Sequence, residues 1–462
     1  MKKIPFFSLF LLLALTLPAQ TLVKKDYAVS PAFDAGTAIH AVSGAYVIFG
    51  NLRANTSSTL TDIYMLRLDA GGNQVALTKY GASNSSESIG RGVLALTDGW
   101  LLAGGKGSKG YLMQLNATGG IVWTKEVPGT GPFNDAAFLP DGSIVATGKN
   151  GSNMFFCRMT ADGTPVWIKT YSAGNGVRLA LSEGKGNCFI VGSNKIWKLR
   201  LTDGTLIWEK TLAPAPYGPD GGYQSLTLTD ITAAGPGQFA VIGSFLNDQI
   251  TTLYSAFYTA VWRESGELVW ERYFNGLPDG LDYNEGTSIY YMSNEKHLLL
   301  AGTESGSGVL TRADAVTGQK VDSLKLGLSG YTVSPIVTKS GGYYAVTGAK
   351  LAGFQNLNTF FYRTAINAFR SGEAPETPAS TGIRVYPNPC ADMLCVAFPA
   401  VAAGGQRIEI LDAAGRVAMN VSLAVQAGAN EATVQLSALP DGVYWLRLPG
   451  AGLAPASFFI KR

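Results

Sequence analysis

A tryptophan-bearing hairpin that recurs along the chain, a short apolar strand ending in glycine upstream of each copy, and a glycine-rich, charge-poor composition predict an all-β protein. The expected architecture is a seven-bladed β-propeller with an N-terminal closing strand, followed by a small C-terminal β-sandwich. The hairpin phrase is clearest at Gly110 to Lys125 (GYLMQLNATGGIVWTK), Met154 to Lys169 (MFFCRMTADGTPVWIK) and Lys195 to Lys210 (KIWKLRLTDGTLIWEK). Each copy is an alternating strand, a glycine turn and a second strand. With 56 glycines, 11% aromatic and only 15% charged residues, the chain suits many short strands joined by tight turns.

The elements follow in order. Met1-Lys-Lys, the apolar run Phe6 to Leu17 and Leu17-Pro-Ala19 read as a signal peptide over residues 1–19. The run is too short to span a membrane, and no later window in the mature chain is apolar for long enough to do so. Removing it takes two lysines and no acids from a formal charge of +3, leaving +1. That balance, without a basic run, argues against nucleic acid and against an electrostatic membrane surface.

Residues 20–370 then carry the repeat. Looser hairpins run from Asp62 to Lys79, Ala256 to Arg272 and Gly308 to Lys325. Seven apolar strands precede hairpin copies or the chain's last strand, ending at Gly50, Gly104, Gly148, Gly192, Gly243, Gly302 and Gly348. One more candidate strand precedes each, at Gly36 to Val42, Ser88 to Leu96, Asn134 to Leu139, Val177 to Ser182, Ser225 to Ala233, Gly286 to Met292 and Tyr331 to Lys339. Four strands at this spacing make a propeller blade. The seventh blade lacks its fourth strand after Phe360 to Phe369, and Gln20 to Tyr27 is expected to supply it, leaving no open edge.

Residues 371–380, rich in Pro, Ser, Thr and Glu, read as a linker. The unit at 381–462 is marked by Tyr386-Pro387-Asn388-Pro389, Gly415-Arg416-Val417, Gly442-Val443-Tyr444 and the terminal Lys461-Arg462. Pro387 and Pro389 suit an edge strand, and the glycines suit hairpin turns. In this order and position the motifs resemble the type A C-terminal sorting domain of type IX secretion, which carries proteins across the outer membrane of certain Gram-negative bacteria. The resemblance implies recognition by the translocon and removal by a sortase, with the cargo then either attached to the surface or released. The repeat phrase in turn resembles the degenerate repeats of quinoprotein-like propellers, a likeness of fold alone. A working quinoprotein needs a metal-binding acidic and amide cluster over its cofactor. No such cluster is apparent, so no cofactor, metal site or catalytic residue is assigned.

Other chemistry is sparse. His40 and His297, both in apolar strands, read as packed groups. Asp135, Asp230, Asp282 and Glu285 lie near strand junctions and are the carboxylates available for acid and base work. The repeated tryptophans at 123, 167, 208 and 270 fall at equivalent positions, as blade-to-blade packing requires. Cys157 and Cys188 read as buried thiols, whereas Cys390 and Cys395 flank a short loop. Asp322-Ser-Leu324 matches a short O-glycosylation pattern.

Two long insertions, Leu212 to Tyr223 and Phe274 to Glu285, flank the fifth blade. Tyr217, Tyr223, Asp282, Tyr283 and Asn284 place aromatic platforms beside polar groups there, a combination that suits sugar or peptide recognition. The expected function is an exported, non-enzymatic module that binds an extracellular glycan or protein. The alternative is a hydrolase or lyase that uses carboxylates on the propeller face.

Overall fold

The structure, a computed structural model, describes residues 22–365 and 383–460 except 54, 56–57, 82–85, 185, 214–222, 250–251, 275–283, 305, 327–331, 341, 352–356, 387–389, 391, 401–403, 413–414, 426–427, 451–452 and 454. Every regular element among the described residues is a strand. β1 is Val23–Tyr27. Blade one is β2 Phe33–Val42, β3 Ala45–Arg53, β4 Asp62–Leu68 and β5 Gln74–Tyr80; blade two is β6 Glu87–Leu96, β7 Gly99–Lys106, β8 Lys109–Asn116 and β9 Ile121–Val127. Blade three is β10 Phe133–Phe138, β11 Ile144–Asn150, β12 Asn153–Met159 and β13 Pro165–Ala173; blade four is β14 Arg178–Leu181, β15 Asn187–Gly192, β16 Lys195–Arg200 and β17 Leu206–Thr211. Blade five is β18 Tyr223–Ala233, β19 Gln238–Gln249, β20 Thr252–Arg263 and β21 Leu268–Phe274; blade six is β22 Glu285–Met292, β23 His297–Glu304, β24 Ser307–Asp314 and β25 Lys320–Lys325. Blade seven is β26 Thr332–Ser340, β27 Tyr343–Leu351 and β28 Leu357–Ala365.

Each blade is an antiparallel meander, and the first strands β2, β6, β10, β14, β18, β22 and β26 pack side by side until β26 meets β2 again. The ring therefore has seven blades. Its fourth strand in blade seven is β1, which runs antiparallel to β28 from Val23↔Arg363 to Tyr27↔Thr359. The N-terminal strand thus fills the place that the sequence leaves vacant. Tyr27 confirms the equivalence: its hydroxyl donates to Gly72 O at 2.5 Å, as Tyr80 of the ordinary fourth strand β5 donates to Gly119 O at 2.7 Å. A single parallel pair, Phe33↔Leu357, links blades seven and one across the closure.

Apolar residues recur on both faces of the middle strands because each blade is covered by a neighbour on either side. Phe49 and Met65 of blade one pack with Trp100 and Leu102 of blade two, and Phe189 and Val191 of blade four with Phe239 and Tyr258 of blade five. Each such side chain, fully buried, contributes on the order of 1.5–3 kcal/mol.

The repeated tryptophans lock these interfaces. Trp167, Trp208 and Trp270 donate their indole N–H to Thr202 O, Glu264 O and Ala315 O of the following blade's hairpin, at 3.2, 3.3 and 3.0 Å. Trp123 departs from the pattern and donates to Gln114 Oε1 within its own blade, at 2.5 Å. The hairpin glycine is needed for this contact: Gly318 has φ +71°, and a Cβ there would lie 2.7 Å from Trp270 Cε3.

The C-terminal unit has two sheets. β29 Arg384–Tyr386, β30 Met393–Ala400 and β33 Gly428–Gln435 form one. β31 Gly404–Leu411, β32 Val417–Val425, β34 Gly442–Arg447 and β35 Ala456–Ile460 form the other, in the order β32-β31-β34-β35. Leu394, Val396 and Phe398 from the first sheet meet Ile408, Ile410, Leu446 and Phe458 from the second in one apolar cluster, so the unit has a core of its own.

Candidate functional site

The first strands bulge where they approach the ring's axis, at Ile89/Val93 in β6, Phe133/Asp135 in β10, Leu228/Asp230 in β18 and Gly286/Ser288 in β22. A bulge re-aims the side chain at its extra residue. In β6 three residues, Gly90, Arg91 and Gly92, stand opposite Ala103 alone, with Arg91 set between the two glycines. A Cβ on Gly90 would lie 2.1 Å from Asn134 O, so glycine is what lets blade two press this closely on blade three.

Four charged groups from four blades meet at this level. Arg91 Nη1 lies 2.9 Å from Asp230 Oδ2 and its Nη2 donates to Thr287 O at 2.5 Å, reaching from blade two to blades five and six. Arg178 of blade four donates Nε to Asp230 Oδ1 at 2.8 Å. Its Nη1 lies 2.7 Å from Asp135 Oδ1 of blade three, an ion pair whose angle falls outside that of a directed hydrogen bond. The aspartates also cap the backbone of the next blade: Asp135 accepts from Leu179 N at 2.9 Å and Asp230 from Ile289 N at 3.0 Å. Both aspartate side chains are almost wholly buried, whereas those of Arg91 and Arg178 retain 16% and 21% exposure.

The electrostatics follow from who holds whom. Burial opposes ionisation of Asp230, but Arg178 and Arg91 outweigh it and hold the carboxyl below its ordinary range. Asp135, with Arg178 as its one guanidinium, is raised by burial. Burial lowers Arg91 to about 10, which leaves it cationic at neutral pH. Arg178 is raised, because its two carboxylates overcome the effect of burial. Two of the four carboxylates that the sequence offers for acid and base work, Asp135 and Asp230, therefore do converge, but on arginine. Of the other two, Glu285 opens β22 and is raised by burial, and Asp282 lies outside the described residues.

Around blade five, Tyr217 and Tyr283 likewise lie outside the described residues, and Tyr223 is the first residue of β18, paired with Asp248. Asn284 is buried, at 1% exposure; its backbone N–H donates to Ser255 Oγ at 2.7 Å and its amide to Ser255 O at 3.1 Å. This amide fastens the end of its loop to β20 and is not turned to solvent. β18, β19 and β20 are 11, 12 and 12 residues long, longer than their counterparts in the other blades. The start of β18 pairs with the end of β19, and Asn284 bonds near the start of β20, so both insertions end on the same side of the ring.

The remaining residues singled out in the sequence are packed. His40 lies against Trp100, with ring centroids 5.0 Å apart, and burial lowers it to about 4. His297 Nδ1 is 3.6 Å from Glu295 Oε2. Cys157 and Cys188 are buried free thiols, Cys390 is buried with its Sγ donating to Phe459 O at 3.5 Å, and burial pushes Cys157 up to about 12.

In the C-terminal unit, Tyr386 ends β29 opposite Cys395. Gly415 has φ +75° in a turn that Asp412 closes by accepting from Arg416 N and Nε, each at 3.0 Å. Val417 begins β32, and Gly442, Val443 and Tyr444 begin β34, where the buried Tyr444 donates its hydroxyl to Pro440 O at 2.9 Å. Pro387, Asn388, Pro389, Lys461 and Arg462 lie outside the described residues.

A propeller joined to such a unit defines an exported protein of the type IX pathway. Residues 384–457 match the secretion system C-terminal sorting domain, which marks proteins secreted or anchored at the cell surface through that pathway. Residues 66–320 match the family described as outer membrane protein assembly factor BamB. That match spans more than half of the chain, and the chain belongs to this family of quinoprotein-like propeller repeats. Among solved structures it is similar to the β-propeller domain of Cps50 (Swd1) from Myceliophteria thermophila, at 10% identity and TM-score 0.45, over 73% of this chain and 99% of that one. No curated protein matches. Among the described residues, no helix is long and apolar enough to cross a membrane.

Proposed function

We propose that this chain is a secreted or surface-displayed binding module whose propeller takes an extracellular glycan or protein at the face where the insertions before β18 and β22 emerge. The observation that carries the reading is the commitment of the axial carboxylates. Asp135 and Asp230 are each held by arginine and by the next blade's backbone, which suits a rigid ring better than proton transfer. Tyr217 and Tyr283 are the candidate stacking platforms, Asp282 is next to Tyr283 in the sequence, and Asn284 anchors the end of its loop to β20. The family description names outer-membrane assembly, but the sorting domain directs this chain past that membrane, so a surface role accounts for both units. The translocon engages the C-terminal domain, with sortase removal as the expected next step.

The test is binding of the mature chain to a glycan array and to immobilised surface proteins, with product analysis on every glycan it retains. Tyr217→Ala with Tyr283→Ala is expected to weaken retention about tenfold or more, as loss of aromatic anchors does. Release of shortened products by the purified chain would replace the binding reading with the hydrolase or lyase alternative.

A further inference from the structure

Two of the sorting motifs carry a valine that the core does not use. Val417 and Val443 are 44% and 45% exposed, and the cluster that holds the domain together contains neither. Strand register places them on one surface. Val417 pairs with Leu411, Leu411 with Trp445, and Val443 with Phe459. Paired residues point to the same side of a sheet, and alternate residues do so along each strand. With the bulge between Ile410 and Leu411 bringing Val417 to the side of Leu411, five apolar side chains share the outward face of the β32-β31-β34-β35 sheet, Trp445 and Phe459 each 37% exposed and Leu411 9%. Next to them on that face, Arg407 Nη2 and Arg447 Nη2 both pair with Glu409, at 3.2 and 2.7 Å, so the polar end of the patch keeps one positive charge in excess.

We infer that this face, centred on Trp445 and bordered by Arg407 and Arg447, is the surface on which the type IX translocon holds the chain, through an apolar cleft with an acidic rim. The inference rests on the sorting assignment. A domain whose task is to be recognised has a use for exposed apolar residues within its own motifs, and its fold is already secured from the other side of the sheet. The excess positive charge specifies the sign of the rim.

The experiment uses the full chain in a bacterium with a type IX pathway, and measures the share of protein outside the outer membrane. Val417→Lys combined with Val443→Lys is expected to cut export at least tenfold and to leave folded protein in the periplasm, shown by an unchanged melting temperature after purification. Met393→Lys, at a 47% exposed position on the other sheet, is expected to export normally. Val443→Thr, nearly the same shape as the native residue, is expected to lower export severalfold and serves if the double variant unfolds. Normal export of folded Val443→Thr or of the folded double variant overturns the assignment of this face, as does equal loss with Met393→Lys. A chain lacking residues 381–462 separates the two levels: its normal export would refute the sorting role itself, whereas its retention beside normal export of the valine variants refutes only the face.

Discussion

A chain that begins at Ala28 instead of Gln20 lacks β1 and leaves β28 as an open edge. Five residue pairs are lost, from Val23↔Arg363 to Tyr27↔Thr359, together with the Tyr27 hydroxyl bond to Gly72 O and the Asp26 pair with Lys350 at 2.6 Å. Ladder bonds at about 1 kcal/mol net each and burial of Tyr27 at about 2 kcal/mol set the gross loss, and the freed segment recovers part of it as chain entropy. A net destabilisation of about 3–5 kcal/mol is expected. Spread over a ring of about 340 residues, it lowers the melting temperature by roughly 4–7 °C. Thermal unfolding of the two chains measures it directly, with Tyr27→Phe as a milder step of about 1 kcal/mol. Equal melting temperatures for chains starting at Gln20 and Ala28 would refute the closure argument.

His40 is a base whose folded pKa is lowered to about 4, so its contribution is complete above pH 6.5 and is lost as pH falls from there towards 4. About 3 kcal/mol should disappear across that window in urea titrations of the native chain, and His40→Leu should flatten the dependence. Burial holds Cys157 and Cys188 as thiols, so neither should react with a maleimide in the folded protein, and both should label in denaturant. Arg178→Met leaves Asp230 with Arg91 alone and Asp135 with no guanidinium in contact, and a loss of about 3–5 kcal/mol is expected in equilibrium unfolding.

The ring is legible in the sequence because each of its parts repeats locally. A strand that ends in glycine, a glycine turn and a tryptophan strand lie within one stretch of chain, and the first strands of all seven blades appear where the alternation puts them. The missing fourth strand can be read for the same reason, since counting the phrase shows which piece is absent. The axial quartet is not local. Arg91 and Asp230 are 139 residues apart, and nothing near either names the other. Asp135 and Asp230 stand out as carboxylates at strand junctions, but the arginines that claim them do not; the one available signal is Arg91 between two glycines in an inward strand. Asn284 misleads for a related reason. It lies at the end of a polar insertion, and only the position of Ser255 on the neighbouring blade shows that its amide is spent inside.

Two separate devices hold the ring. The quartet joins blades two to six, since Arg91 reaches blades five and six from blade two, and Arg178 ties blade four to blades three and five. Blades seven and one are joined differently. There Asp34 accepts from Thr359 N at 2.6 Å and from Ser30 N at 3.0 Å, Tyr64 and Thr359 share a hydroxyl contact of 2.5 Å, and β1 completes the sheet. The two groups have no partner in common among these contacts. Perturbations at separate sites without shared partners add to within about 0.5 kcal/mol. Removing β1 from an Arg178→Met chain should therefore cost the sum of the two single losses, measured in one denaturant series. A shortfall well beyond that margin would mean that opening the closure already releases the axis, and that the ring unfolds from a single weak point through both devices together.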